Sequence, residues 1–269
     1  MSYKKNKYKE QIENESNDSA SKKSTLGNRL SLAAMGAKLG LGHMLGKMSP
    51  ADITSETMNN MVSEFNKKNN ANVVLRMGRN ISGSSTFRKD SKLPKSTYNQ
   101  ALLKKKFGHD IYEAFDDAKK NNKTLLSSMN NEATLLHELG HARYIDKNKN
   151  GLLKANTALG IASAPLGFKT VRKGLRKIDK TKDGKMNKAV DFLENNPELV
   201  LGATKLPKLI DEARASAYAT KQLVSKYGLK GGLKKAAPLG VALGTYGLGA
   251  LAPTLAQGQY IRNTKTREE

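Results

Sequence analysis

Residues 130–145 read NNEATLLHELGHARYI, and this stretch predicts one helix that carries a metal-binding motif. His137 and His141 are four residues apart, so on a helix they share one face and can bind a single metal ion through their imidazole rings. Glu138 would then stand beside the open coordination position as a general base acting on a zinc-activated water. Two of the four histidines in the chain belong to this motif.

The composition restricts the chemistry of such a site. The chain has 269 residues and no cysteine, so a metal must be held by imidazole and carboxylate groups. With 47 Lys and Arg against 24 Asp and Glu, the net charge of +23 predicts attraction to nucleic acid, anionic lipid or acidic protein surfaces. Because aromatic residues are only 6% and Trp is absent, a base-stacking platform is not expected, and no motif supports nucleic-acid binding.

Four segments are expected along the chain. Residues 1–24 are polar, predict a disordered basic arm and lack the apolar core of a secretory signal, which favours a cytoplasmic or membrane-associated protein. Residues 25–49 predict an amphipathic Gly/Ala-rich helix that either binds a membrane surface or partner or packs as an ordinary helix. The metal motif falls in a domain at 50–225. Residues 226–269 form an apolar Gly-rich helical segment with a basic tail.

The predicted fold class is α+β and predominantly α-helical, with one small β-sheet. Residues 72–77 are the best strand candidate, and 78–96 predict a loop or hairpin. Further helices are expected at 51–68, 98–106 and 109–121.

One apolar stretch is long enough to matter for location. Residues 236–261 contain no charge, and their length could cross a membrane, with glycines that allow close helix contacts. Pro238, Pro253 and two glutamines shorten the apolar portion. A membrane-inserting helix and a buried Gly/Ala-rich helical hairpin therefore both remain open.

A catalytic zinc usually has three protein ligands, so the two histidines need a partner elsewhere in the chain. A carboxylate on a downstream helix is a common solution, and residues 209–219 suit it. Glu212 is followed there by small residues that would let two helices approach closely. Asp211 is the adjacent alternative, and Asp146 and Glu198 are weaker candidates.

Residues 135–145 and 209–220 together resemble the gluzincin peptidases, especially the branch that includes HtpX-like and CAAX-prenyl-protease-like membrane enzymes. In that branch the third ligand begins a pattern of Glu, two variable residues, Ala and Asp, and here the residues from Glu212 to Ser216 read EARAS. Ser216 replaces the Asp that orients a histidine ligand in the family, which implies weaker zinc binding and water activation. The resemblance is local and implies a zincin-like pair of metal helices.

The resemblance implies a zinc metalloendopeptidase that acts on protein or peptide substrates. His137, His141 and Glu212 would bind Zn²⁺, and Glu138 would be the general base. Tyr218, or Tyr144, would donate a hydrogen bond to the developing oxyanion. A sheet upstream of the metal helix would supply the edge along which the substrate backbone binds.

Two other classes of function remain open. The first is a structural or membrane-interacting protein, such as a phage-virion component, with a degenerate zincin fold. The second is a basic nucleic-acid-associated protein in which the metal motif is incidental.

Overall fold

A computed structural model describes residues 29–41, 44, 51–77, 85–87, 93, 96–107, 110–146, 151–179, 181 and 183–266. The predicted arm at 1–24 lies outside these residues, as do residues 25–28, 42, 43 and 45–49 of the predicted helix at 25–49. The described chain is mostly helical with one three-stranded sheet, which confirms the predominantly α-helical α+β class.

The chain forms two compact units. The sheet unit comprises Leu41–Lys154 and Pro207–Gly244, and the helical unit comprises Met1–Gly40, Ala155–Leu206 and Thr245–Glu269.

The sheet unit contains eight labelled elements, in chain order. They are α2 (Ser55–Asn69), β1 (Val73–Met77), β2 (Ser85–Phe87), α3 (Thr97–Phe107), α4 (Ile111–Lys120), β3 (Thr124–Ser128), α5 (Glu132–Asp146) and the first part of α10 (Leu206–Asn263). The helical unit contains α1 (29–41), most of α6 (Gly151–Ser163), a 3-10 turn (Pro165–Gly167), α7 (Lys169–Arg176), α8 (Lys185–Asn195), α9 (Pro197–Ala203) and the end of α10.

Strand β3 is the centre of the sheet. It pairs in parallel with β1 and antiparallel with β2, so the strand order is β1-β3-β2. Successive side chains of a strand point to opposite faces, and β3 is buried on both. Leu125 packs with α3 and α4, while Leu126 packs with α2, α5 and α10. The sheet is thus covered by helices on both faces.

Helix α5 begins shortly after β3 ends, which fixes its position on the sheet. The side-chain oxygen of Asn131 accepts a 3.0 Å hydrogen bond from the backbone N–H of Thr134, as an N-terminal cap does. The carboxylate of the next residue, Glu132, is fully buried and accepts 2.7 Å hydrogen bonds from Lys226 and Tyr227 of α10. The start of α5 is therefore tied directly to α10.

Helix α10 is interrupted at Gly228. This glycine has φ +71° and ψ 172°, a conformation that side-chain-bearing residues rarely adopt. The backbone of Gly232 packs against that of Val224, so the chain folds back on itself at this point.

By length and composition alone, α10 is apolar enough to cross a membrane. Its most apolar 18-residue stretch has a mean hydropathy of 1.4, and 17% of that stretch is buried within the protein.

Candidate metal centre

Helices α5 and α10 approach each other closely at the residues predicted to bind metal. A Cβ atom added to Gly140 would lie 2.8 Å from the Cα of Ala215, which is shorter than any ordinary contact. Gly140 precedes His141, and Ala215 lies three residues after Glu212. The absence of a side chain at position 140 therefore lets the two helices bring their metal-binding groups within reach of each other.

We expect Gly140→Ala to lower the free energy of unfolding by about 1–3 kcal/mol, although Ala is the better helix former. The added methyl group must push α10 away, because it meets rigid backbone. Zinc affinity should fall as well. Thermal unfolding and zinc titration measure the two effects.

Gly240→Ala is the matched control, because a Cβ at this helical position meets nothing within 4 Å. It should leave zinc affinity unchanged and raise stability by about 0.5–1 kcal/mol. If Gly140→Ala and Gly240→Ala changed stability and zinc affinity by the same amounts, close packing of α5 on α10 at Gly140 would be contradicted.

The structure brings His137, His141 and Glu212 together in one cluster. The Nε2 atoms of His137 and His141 are 3.2 Å apart. Oε2 of Glu212 lies 3.3 Å from Nε2 of His137 and 3.5 Å from Nε2 of His141. A tetrahedral zinc ion with bonds of about 2.0–2.1 Å separates its ligand atoms by about 3.3 Å. Oε2 of Glu212 is buried and accepts no hydrogen bond from the described residues. The donor set and its spacing fit a zinc ion.

The electrostatics of the cluster also suit a cation. Burial alone would raise the pKa of Glu212, but the neighbouring His137 and His141 outweigh it and lower that pKa to about 2. Burial alone would lower the pKa of His141, but the carboxylates of Asp211 and Glu212 outweigh it and raise that pKa to about 10. Without metal, a proton on His141 balances the carboxylates, and a metal ion would take its place.

Zinc affinity is consequently expected to rise with pH. Because His141 holds its proton up to about pH 10, zinc must displace that proton at neutral pH. The apparent Kd should fall about tenfold per pH unit between about pH 7 and 8.5. Competition with a chromogenic chelator at several pH values measures this slope. A Kd independent of pH over that range would show that His141 carries no proton there for zinc to displace.

The other nitrogen of each imidazole also has a partner on α10. Oγ of Ser216 lies 3.2 Å from Nδ1 of His137, and Oδ2 of Asp211 lies 3.1 Å from Nδ1 of His141. Each ring is thus contacted at Nδ1 by one residue and faces the cluster with Nε2. Asp211, the alternative third ligand, therefore contacts the edge of the His141 ring that points away from the cluster.

Strand β2 places a hydroxyl group against the predicted general base. Glu138 is buried, and its Oε2 accepts a 2.7 Å hydrogen bond from the hydroxyl of Thr86. Burial raises the pKa of Glu138, although the nearby His141 and His137 oppose this. Sequence reasoning left 78–96 as a loop or hairpin and did not single out Thr86. The strand predicted at 72–77 is confirmed as β1, and the strand that contacts Glu138 is β2.

The predicted tyrosines lie at different places. Tyr218 packs edge-to-face with Phe65 at 6.3 Å between ring centres, and the guanidinium of Arg143 lies 5.4 Å from its ring. Tyr218 also lines a cavity of about 500 Å³ together with Leu136 and Leu139, on the other face of α5 from the two histidines. No described contact joins Tyr218 to the metal cluster.

Tyr144 lies one turn after His141, and the guanidinium of Arg214 is 5.8 Å from its ring. The two weaker ligand candidates are elsewhere. Glu198 lies on α9 and forms an ion pair with Arg262, and Asp146 is the last residue of α5.

Comparison of the chain with protein-family models, with curated proteins and with solved structures finds no match. The chemistry of the site is therefore interpreted from its own residues.

Proposed function

We propose that this protein is a zinc-dependent metalloendopeptidase of the gluzincin type, with zincin-like packing of α5 and α10. The observation that carries the proposal is the spacing of three donor atoms, Nε2 of His137, Nε2 of His141 and Oε2 of Glu212, at 3.2 to 3.5 Å from one another. The carboxylate of Glu138 next to this cluster supplies the base that peptide hydrolysis requires.

In the proposed reaction, His137, His141 and Glu212 hold the zinc ion. When bound, zinc lowers the pKa of water towards about 7 and polarises the substrate carbonyl. Glu138 takes up the proton at its carboxylate while the water attacks the peptide carbon, and then delivers that proton to the leaving amine. Thr86 orients the carboxylate through its hydrogen bond to Oε2.

The proposed substrate is an extended protein or peptide segment. Among the described strands, β2 pairs with β3 on one side and with none on the other, and we propose that the substrate backbone pairs with this second edge. A substrate backbone pairing with Ser85–Phe87 would pass close to Glu138, because Thr86 is in contact with that residue.

A degenerate zincin in a structural or membrane-interacting protein is the second candidate. The observation in its favour is Ser216, a neutral residue at the position that carries Asp in the resembling family. In that case zinc would bind, and peptide hydrolysis would be absent in the wild type.

We also propose that the protein associates with an anionic membrane. The net charge of +23 and the apolar stretch within α10 support this partner. Co-sedimentation of the full-length chain with lipid vesicles tests it: binding to vesicles that contain anionic lipid and none to neutral vesicles is the expected result, and no binding to anionic vesicles would contradict it.

Removal of the metal provides the test of the enzymatic proposal. Hydrolysis of denatured casein is expected to stop when a zinc chelator is added and to return when about one zinc ion per chain is restored. Magnesium added to the same chelated sample is the control and should restore nothing. Proteolysis that persists in a zinc-free sample would contradict the assignment.

A further inference from the structure

We propose that Asp211 and Ser216 are positioning residues for the metal ligands, and that Asp211 supplies to His141 the carboxylate partner that position 216 lacks. This inference rests on the proposed metal site, and it assigns a role to Asp211 that is distinct from that of a ligand.

The two nitrogens of the His141 ring are held by consecutive residues of α10. Oδ2 of Asp211 lies 3.1 Å from Nδ1, and Oε2 of Glu212 lies 3.5 Å from Nε2. An ionised carboxylate can only accept hydrogen bonds, so the contact with Asp211 requires a proton on Nδ1 of His141. In a neutral ring, Nε2 then has its lone pair free for the metal.

His137 is arranged in the same way with a neutral partner. Its Nδ1 lies 3.2 Å from the hydroxyl of Ser216, while its Nε2 lies 3.3 Å from Oε2 of Glu212. A hydroxyl can accept the Nδ1 proton, but it carries no charge that would make the ring a stronger metal ligand. The two histidines are thus oriented alike, and of their two Nδ1 atoms only that of His141 has an anionic partner.

The burial of the two positions explains this asymmetry. Ser216 is 9% exposed and lies one helical turn after Glu212, whose carboxylate is also buried. A further negative charge at position 216 would be desolvated and repelled. The side chain of Asp211 is 32% exposed, so its charge remains partly hydrated while it contacts the ring. The carboxylate therefore lies at the position where its desolvation costs less.

Asp211→Asn and Asp211→Ala test this role. Asn keeps the shape of the side chain without its charge, and Ala removes the acceptor. We expect each to weaken zinc binding by about 10- to 100-fold. Ser216→Ala should weaken it by less than Asp211→Ala, because the lost partner is neutral. Asp116→Asn on α4 makes the same charge change at an exposed position and should leave the zinc Kd unchanged.

The experiment is a zinc Kd measured by chelator competition on the full-length chain, together with the visible absorption of the Co²⁺-loaded protein and the Tm of the metal-free protein. A positioning role predicts a weaker Kd and a changed Co²⁺ spectrum in both Asp211 variants, together with a lower metal-free Tm, because each variant also removes the contact of Asp211 with the His141 ring. The inference would be overturned if both Asp211 variants kept the wild-type Kd and Co²⁺ spectrum, whether or not their Tm fell. In that case zinc binding by the wild type would still support the metal site. A wild type that binds no zinc would overturn both.

Discussion

Glu138→Gln is expected to retain about one zinc ion per chain and to lose peptide hydrolysis by a factor of about 10² to 10⁴. The Gln amide oxygen can still accept the hydrogen bond from Thr86, so the local packing should persist. The amide cannot accept a proton, however, and the attacking water then has no base. Cleavage of a fluorogenic peptide library and metal analysis of the same samples measure the two quantities.

Glu113→Gln provides a matched control on α4, where the side chain is exposed and far along the chain from the motif. It makes the same chemical change and should have wild-type activity. If Glu138→Gln also hydrolysed peptides at a wild-type rate, Glu138 could not be the general base. Wild-type protein that binds zinc without hydrolysing any peptide of the library would instead favour the structural candidate with a degenerate site.

Replacement of Glu212 should have the largest effect on the metal. Glu212 is the only carboxylate in the cluster, and its Oε2 lies within 3.5 Å of Nε2 of both histidines. Glu212→Ala leaves two imidazoles, which is fewer than the three protein ligands of a catalytic zinc site. We expect the zinc content after dialysis to fall from about one ion per chain to nearly none, as measured by elemental analysis.

Glu212→Gln distinguishes charge from volume at this position. It fills the same space, so it should fold as the wild type does and still bind zinc poorly. Glu113→Ala is the control for carboxylate removal and should keep full zinc content. Stoichiometric zinc in both Glu212 variants would exclude this residue as the third ligand.

The parts of the site that follow local spacing could be predicted from the sequence. His137 and His141 are one helical turn apart, and helix geometry alone places them on one face. The short side chains after Glu212 suggested a close helix pair, and Ala215 indeed packs on Gly140. Both predictions depend on residues that are close together in the sequence, so helix geometry is enough to make them.

The sheet next to the site was harder to predict, because its strands are short. The sequence analysis did not predict strand β3, which has the sequence TLLSS and lies between two helices. A turn precedes this strand, and Asn122 adopts the left-handed conformation in it. Strand β2 has three residues and no alternating pattern of its own. Its place is determined by pairing with β3, so the contact of Thr86 with Glu138 depends on tertiary structure.

Two further features depend on the relation between distant residues. The sequence does not predict the reversal of α10 at Gly228, although three glycines lie within residues 228–232, because glycines inside a helical pattern do not by themselves reveal a positive φ. The role of Asp211 could not be separated from that of a ligand, because adjacency to Glu212 does not tell which nitrogen of His141 it contacts. That distinction requires the ring orientation.

The proposed function depends on one zinc ion being bound jointly by His137, His141 and Glu212. A crystal structure of the zinc-loaded protein, with anomalous scattering recorded at the zinc absorption edge, would locate this ion. We expect one strong peak at about 2.0–2.2 Å from Nε2 of each histidine and from a carboxylate oxygen of Glu212. Zinc bound elsewhere, or imidazoles turned away from each other around an empty centre, would contradict it.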